Sequence, residues 1–161
     1  MHKSTIALFT LILLFSFACE KDDFCTQNPV TPSLVIRFYD KDSTNESFKT
    51  VERFSAIAAI ISDSLSQSVN TDSIILHLNT LADETTYTFK RNEEIGNTDT
   101  NEYATLKMTY AREEEFVSRS CGFRIFFTTV TFEKNGWIDS LSVSELPVVN
   151  NQNNAHVKVY H

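Results

Sequence analysis

The chain has 161 residues, with 14 basic and 21 acidic side chains for a formal net charge of −7, and only three glycines and three cysteines. So acidic a surface excludes the basic stripes with which nucleic-acid binders displace counterions, and it disfavours peripheral attraction to anionic lipid. The length suits one domain with a core able to stand alone and leaves no room for two.

Residues 1–18 carry the parts of a secretory signal: Lys3, an apolar run from Ile6 to Phe15 broken only by Thr10, and the small Ala18 before the cut. The run is shorter than the roughly 20 apolar residues that a spanning helix needs, so the segment is expected to be removed. Ser16-Phe17-Ala18-Cys19 resembles a bacterial lipobox, in which cleavage leaves a diacylglyceryl cysteine as the new first residue. Ser16 stands where most lipoboxes carry Leu, a looseness similar to that of Bacteroidetes lipoproteins. The plainer alternative is ordinary cleavage after Ala18, leaving a free Cys19 thiol. One myristoyl-length chain holds a protein only reversibly, at about 0.8 kcal/mol per buried methylene, whereas two or three on Cys19 make release negligible. Lys21-Asp22-Asp23 is similar to the export signal that sends such lipoproteins to the outer face of the outer membrane, against the alternative of a solvated charged tether. The resemblance thus implies a lipid-anchored outer-membrane protein facing the exterior, with the periplasmic face as the alternative.

Three cysteines in an exported chain leave one odd thiol, and lipid on Cys19 accounts for it. Cys25 and Cys121 are then available to pair in an oxidising compartment. A loop of about 100 residues closed in this way contributes up to about 4.7 kcal/mol in the chain-entropy model. Cys25 lies in a polar leader, residues 19–33, stiffened by Pro29 and Pro32, so the bond would fasten this tether to the body. Two unpaired buried cysteines are the alternative.

The domain, residues 34–161, opens with Leu34, Ile36 and Phe38 alternating with Val35, Arg37 and Tyr39, the period of a half-buried strand. Asp40-Lys41-Asp42-Ser43-Thr44-Asn45 supplies a turn. Residues 50–65 fit either a helix face of Phe54, Ile57, Ala58, Ile61 and Leu65 or a buried strand, and strand-like neighbours favour the strand. Strands follow at 74–78 and 85–90, the second rich in Thr and aromatics. Tyr103–Arg112 alternates again. Phe123–Phe132 is the most apolar segment of the domain and is expected to be the central strand, and its change of parity around Phe126-Phe127 predicts a bulge or burial on both faces there. Asn135-Gly136 reads as a tight type I′ hairpin returning Ile138–Val143 antiparallel to it. His156–Tyr160 supplies a last strand.

About seven to nine short strands without long helices predict an all-β fold, a single antiparallel β-sandwich of immunoglobulin-like or related type. Parallel α/β is excluded by the missing crossover helices. The scarcity of glycine argues against a strongly curved barrel. Together the leader Cys19–Cys25, Thr31–Asp40, Asp72-Ser73-Ile74 with Leu78-Asn79, Phe116–Arg124 and Ala155–Tyr160 resemble a family of small Bacteroidetes lipoproteins of unknown function. The resemblance supports the cysteine pairing and implies no activity, catalytic residue or cofactor.

The search for chemistry is empty for physical reasons. A serine-hydrolase elbow needs Gly-x-Ser-x-Gly, and a zinc hydrolase needs two imidazoles on one helical face; neither pattern occurs. His77, His156 and His161 read as lone histidines, so no metal is expected. Cys121 beside Arg119 has the surroundings of an activated thiol, but a partnered exported cysteine is more often simply oxidised. Glu113-Glu114-Glu115 reads as solvated acids near a strand end, since glycoside hydrolysis needs two carboxylates facing across a cleft. Asn97-Thr98-Asp99-Thr100-Asn101 begins like a calcium loop, but Glu102 and Met108 stand where Gly and the bidentate Glu are needed. Asp63-Ser64-Leu65, Asp72-Ser73-Ile74 and Asp139-Ser140-Leu141 resemble the Asp-Ser/Thr-aliphatic acceptor for O-glycosylation of exported Bacteroidetes proteins, making Ser64, Ser73 and Ser140 candidates; Asp42-Ser43-Thr44 is a weaker fourth. Equally, Asp-Ser can end a turn before a strand begins.

Two function classes remain. One is a noncatalytic module on a lipid tether that binds another envelope component, protein or glycan, through loops at one end. The other is a carbohydrate-binding accessory of a surface nutrient-uptake system, which calls for an exposed aromatic platform. Trp137 with Tyr39, Tyr87 or Tyr103 would have to supply it.

Overall fold

A computed structural model describes residues 24–26, 31–60, 64–94, 96, 99–143 and 148–161, with backbone alone for 64–66. The nine strands are β1 (Leu34–Tyr39), β2 (Val51–Ala58), β3 (Ser64–Thr71), β4 (Ser73–Leu76), β5 (Glu84–Arg91), β6 (Glu102–Ser118), β7 (Gly122–Lys134), β8 (Ser140–Val143) and β9 (Val157–Tyr160). They form a four-stranded sheet in the order β4-β1-β9-β8 and a five-stranded sheet in the order β3-β2-β5-β6-β7. The all-β sandwich expected from the strand spacing is the fold.

Alternation decides which side chains meet between the sheets. Leu34, Ile36 and Phe38 of β1, Tyr87 and Phe89 of β5, and Ala104, Leu106, Met108 and Tyr110 of β6 all point inward and are buried. Leu76 of β4 and Val157 and Val159 of β9 complete the facing layer. Aromatic rings bridge the layers: Phe54 lies 5.3 Å from both Phe38 and Phe89, centroid to centroid, within the range of favourable ring pairs. Two buried tyrosine hydroxyls are satisfied within this frame, whereas Trp137 Nε1 is buried without a hydrogen-bond partner among the described residues. The Tyr87 hydroxyl donates to the His77 carbonyl at 2.7 Å, and the Tyr110 hydroxyl donates to the Asn79 carbonyl at 2.9 Å.

Four local expectations are corrected. Residues 50–65 are not one element: β2 ends at Ala58, and β3 begins at Ser64 and pairs with it antiparallel. The Asn135-Gly136 turn does not return β8 against β7. Asn135 stays bonded to β6, its N–H donating to the Thr105 carbonyl at 3.1 Å and its Oδ1 accepting from the Thr105 N–H at 2.8 Å. The chain then crosses to the other sheet, where β8 pairs with β9. Gly136 makes that corner possible, since it has a φ of 72° and a Cβ there would lie 2.1 Å from the Tyr103 carbonyl oxygen. The sandwich is also not purely antiparallel, because β9 runs parallel to β1 in the register Ile36↔Val157 to Tyr39↔Tyr160. Finally, β7 is the edge of its sheet and not the central strand; its bulge falls at Thr129, at a φ of 50°, where two β7 residues oppose Tyr110, while Phe126 and Phe127 are partly and fully buried on its two faces.

The β6–β7 hairpin sets the shape of one end. β5 pairs with β6 only as far as Glu84↔Thr109, yet β6 and β7 stay paired to Ser118↔Gly122. Beyond Thr109 the hairpin is therefore a two-stranded ribbon, flanked on its β7 side by the Phe127↔Val149 bridge.

Candidate functional site

The two ends of the sandwich differ in chemistry, and the register fixes which residues lie at each. At the ribbon end are the tip residues 119–121, the 77–83 connection and the entry to β1. At the other end are the β1–β2 loop, the described part of the β5–β6 loop and the 135–139 crossover.

The ribbon end holds the covalent link expected from the cysteine count. Cys25 and Cys121 form a disulfide with their Cα atoms 4.7 Å apart, across 96 residues of sequence. Cys121 sits in the tip because Ser118 ends β6 and Gly122, at a φ of 71°, starts β7. The Ser118 hydroxyl oxygen accepts the Cys121 N–H at 3.0 Å, fixing the turn. The entry segment touches the same ribbon a second time, with the Ile125 N–H donating to Thr31 Oγ1. Cys19 and Lys21-Asp22-Asp23 lie outside the described residues.

Glu113, Glu114 and Glu115 are exposed, as expected of solvated acids, and lie in the outer half of the 17-residue β6, which runs on to Ser118. The Glu115 carboxylate pairs with Arg124 of β7 at 2.5 Å, and Glu113 accepts from the Thr128 hydroxyl at 2.9 Å. These are exposed cross-strand contacts of the kind that stabilise a ribbon by fractions of a kcal/mol. Both exposed phenylalanines of the hairpin lie further out: Phe116 and Phe123 are register partners, 57% and 66% exposed, with ring centroids 5.4 Å apart.

The opposite end is polar and rich in ion pairs. Lys49 donates to Asp40 at 3.0 Å and to the His161 carbonyl at 2.9 Å. The Lys49 hydrogen bond holds the Asp40 carboxyl below the usual carboxylate range. Lys158 does the same to Glu46, and Arg91 to Glu102. Glu93 is held down by Lys90 first and by the Ser55 hydroxyl second. That hydroxyl donates to Glu93 while accepting the Ser68 N–H, which bolts β2 to β3.

The histidines occupy three separate places. His77 Nδ1 lies 2.9 Å from the Ser33 hydroxyl, His156 Nδ1 accepts the Val35 N–H at 2.9 Å, and His161 packs edge-on against Trp137 and Phe38. Burial pushes the pKa of both His156 and His161 down. Among the described residues no group of three or more His, Cys, Asp or Glu side chains is arranged to hold a metal ion; Asn97 and Thr98 lie outside them.

The rings nominated for a sugar platform do not share an exposed face. Tyr39 and Tyr87 are buried. Trp137 packs against Phe38, Phe54 and Phe89, with the Arg91 guanidinium over its ring at 4.9 Å. Tyr103 alone is exposed. Of the Asp-Ser sites, Ser64, Ser73 and Ser140 are each the first residue of a strand, the position that a turn-ending Asp-Ser produces. Ser140 is exposed and Ser73 half-buried; the Ser64 side chain lies outside the described residues.

The sequence signal for the disulfide was the cysteine count. The ribbon had no such signal, because its outer residues read as a strand end followed by a loop. The model of a family described as a family of unknown function, DUF6452, matches residues 55–161. No curated protein and no solved structure matches the chain.

Proposed function

The chain belongs to the family of unknown function DUF6452, and on that premise we propose that it is a noncatalytic module of the cell envelope, anchored by lipid on Cys19. The observation that carries this reading is the Cys25–Cys121 bond. It uses two of the three cysteines, so Cys19 is the one left for acylation, directly behind an apolar leader. It also clamps the tether to the body six residues after the anchor, which suits a domain held at a membrane rather than one swinging on a long linker. A disulfide across so long a loop fits an oxidising compartment.

With the ribbon end tied to the tether, the opposite end is the displayed one. Its loops, residues 40–50, 92–101 and 135–139, are rich in Asn, Asp, Glu and Ser, and the module binds its envelope partner there. Loops on a rigid scaffold are the usual bearers of such contacts. Lys21, Asp22 and Asp23 direct the anchored protein to the outer face of the outer membrane.

Fractionation of cells producing the native chain and Cys19→Ala tests this reading. The native chain is expected in the outer-membrane fraction and degraded by protease added to whole cells, with Cys19→Ala released from the membrane. Native protein that stays soluble would overturn the anchor, and membrane-bound protein protected from protease would overturn the outward face.

A further inference from the structure

We propose that the tip of the β6–β7 ribbon, through Phe24, Phe116 and Phe123, docks into the lipid surface that carries the anchor. The inference rests on lipidation of Cys19. It begins from a stripe of side chains on one face of β7. Phe127 is fully buried between the sheets, Ile125 is partly buried against the core, and Phe123, next on that face, is 66% exposed. The face that packs inside the sandwich thus continues past the end of the opposing sheet with no layer of the described residues over it. Phe116, paired across from Phe123, doubles the apolar surface. Phe24, adjacent to the disulfide, is 82% exposed. Three large rings exposed around one tip are not required for packing, and exposed apolar clusters of this kind mark contact surfaces.

Chain length identifies the occupant. Cys19 and Cys25 are six residues apart, and six residues span at most about 22 Å when fully extended. The disulfide, with its Cα atoms 4.7 Å apart, places Cys121 at the ribbon tip within about 27 Å of Cys19, whatever path the tether takes. The tip is therefore the part of the domain bound to face the bilayer. Its chemistry agrees: of residues 116–123 only Arg119 is charged. Glu113, Glu114 and Glu115 come next along β6, and anionic headgroups repel them, so only the tip enters the interfacial layer and the acids limit its depth. A second copy of the chain is the competing occupant.

The test uses the full lipidated chain reconstituted in phosphatidylethanolamine–phosphatidylglycerol vesicles with brominated acyl chains, which quench indole fluorescence on contact. The one native tryptophan, Trp137, follows the far end of β7, about 40 Å from the tip at roughly 3.3 Å per residue. Its emission should be unchanged. The indoles introduced by Phe116→Trp and Phe123→Trp, both at exposed positions, should lose most of theirs. Adding Cys25→Ser and Cys121→Ser should restore it while the protein still floats with the vesicles. Flotation separates the two claims. Protein that floats with unquenched tip indoles overturns tip docking and leaves the anchor standing, the more so if it sediments as a dimer. Native protein that fails to float removes both, and quenching that survives loss of the disulfide overturns the role given to the tether.

Discussion

Single residues explain where the chain is sensitive to pH and to substitution. His156 holds the start of β1 through Nδ1, which accepts the Val35 N–H and so must be unprotonated. Burial lowers its pKa in the folded state. Stability from such a group is complete above the ordinary imidazole value near 6.5 and is lost as pH falls below it toward the lowered folded value, because the unfolded chain takes up the proton first. His161 adds in the same direction. The depressed carboxyls of Asp40, Glu46, Glu93 and Glu102 add a second loss that begins lower, below the ordinary carboxylate range. Melting temperature is therefore expected to fall from about pH 7 to about pH 5, and less steeply in His156→Gln. Equal slopes in the two proteins would remove His156 as a source. Gly136 is sensitive for a steric reason. Gly136→Ala sets a Cβ against the Tyr103 carbonyl at a positive φ, and it should cost more than the roughly 1 kcal/mol of an incompatible Gly→Ala change. An unchanged denaturation midpoint would contradict the crossover geometry. Asn135-Gly136 was recognisable as a tight turn from its residue types alone. What it joins was not, because a corner between sheets and a hairpin within one ask the same backbone of Asn-Gly.

At the level of elements, strands that alternate cleanly were legible and the others were not. β1, β5 and the inner half of β6 show one apolar face each, and those residues are the buried ones. β3, Ser-Leu-Ser-Gln-Ser-Val-Asn-Thr, has no such face. It is an edge strand paired only with β2, across register shifts where Arg53 and Ser68 take positive φ. Backbone pairing and the bond from the Ser68 N–H to the Ser55 hydroxyl hold it, neither of which leaves a hydrophobic period. The outer half of β6 escaped for a related reason: Glu113–Glu115 face water on a two-stranded ribbon, so acidity resembled a loop. The disulfide is what this ribbon and the entry segment share. Replacing Cys25 and Cys121 by Ser should lower stability by up to about 4.7 kcal/mol, the chain-entropy value for a loop of about 100 residues, while the core, to which neither cysteine belongs, keeps its packing. Thermal unfolding of the double variant with unchanged near-ultraviolet circular dichroism is the expected result. An unaltered melting temperature would show that the bond constrains nothing.

For the whole molecule, the sandwich is polarised. One end carries the disulfide and exposed Phe24, Phe116 and Phe123; the other carries polar loops and ion pairs, with Phe48 and Tyr103 exposed among them. The fold class was legible from strand number and the absence of helical periods, whereas the parallel β1–β9 pair was not, because pairing direction between the first and last strands leaves no local trace. Nothing in the chain spelled out chemistry; among the described side chains two serine hydroxyls meet basic groups, Ser55 at the Glu93 carboxylate and Ser33 at His77 Nδ1. The proposed function stands on a division of labour among the three cysteines, lipid on Cys19 and a bond between Cys25 and Cys121. A non-reducing tryptic map of protein extracted from membranes reads both at once, since cleavage after Lys21 separates Cys19 from Cys25. The account predicts an acylated N-terminal Cys19-Glu20-Lys21 peptide and a disulfide-linked peptide pair joining Cys25 to Cys121. An unmodified Cys19, or Cys19 found in the disulfide, would contradict it.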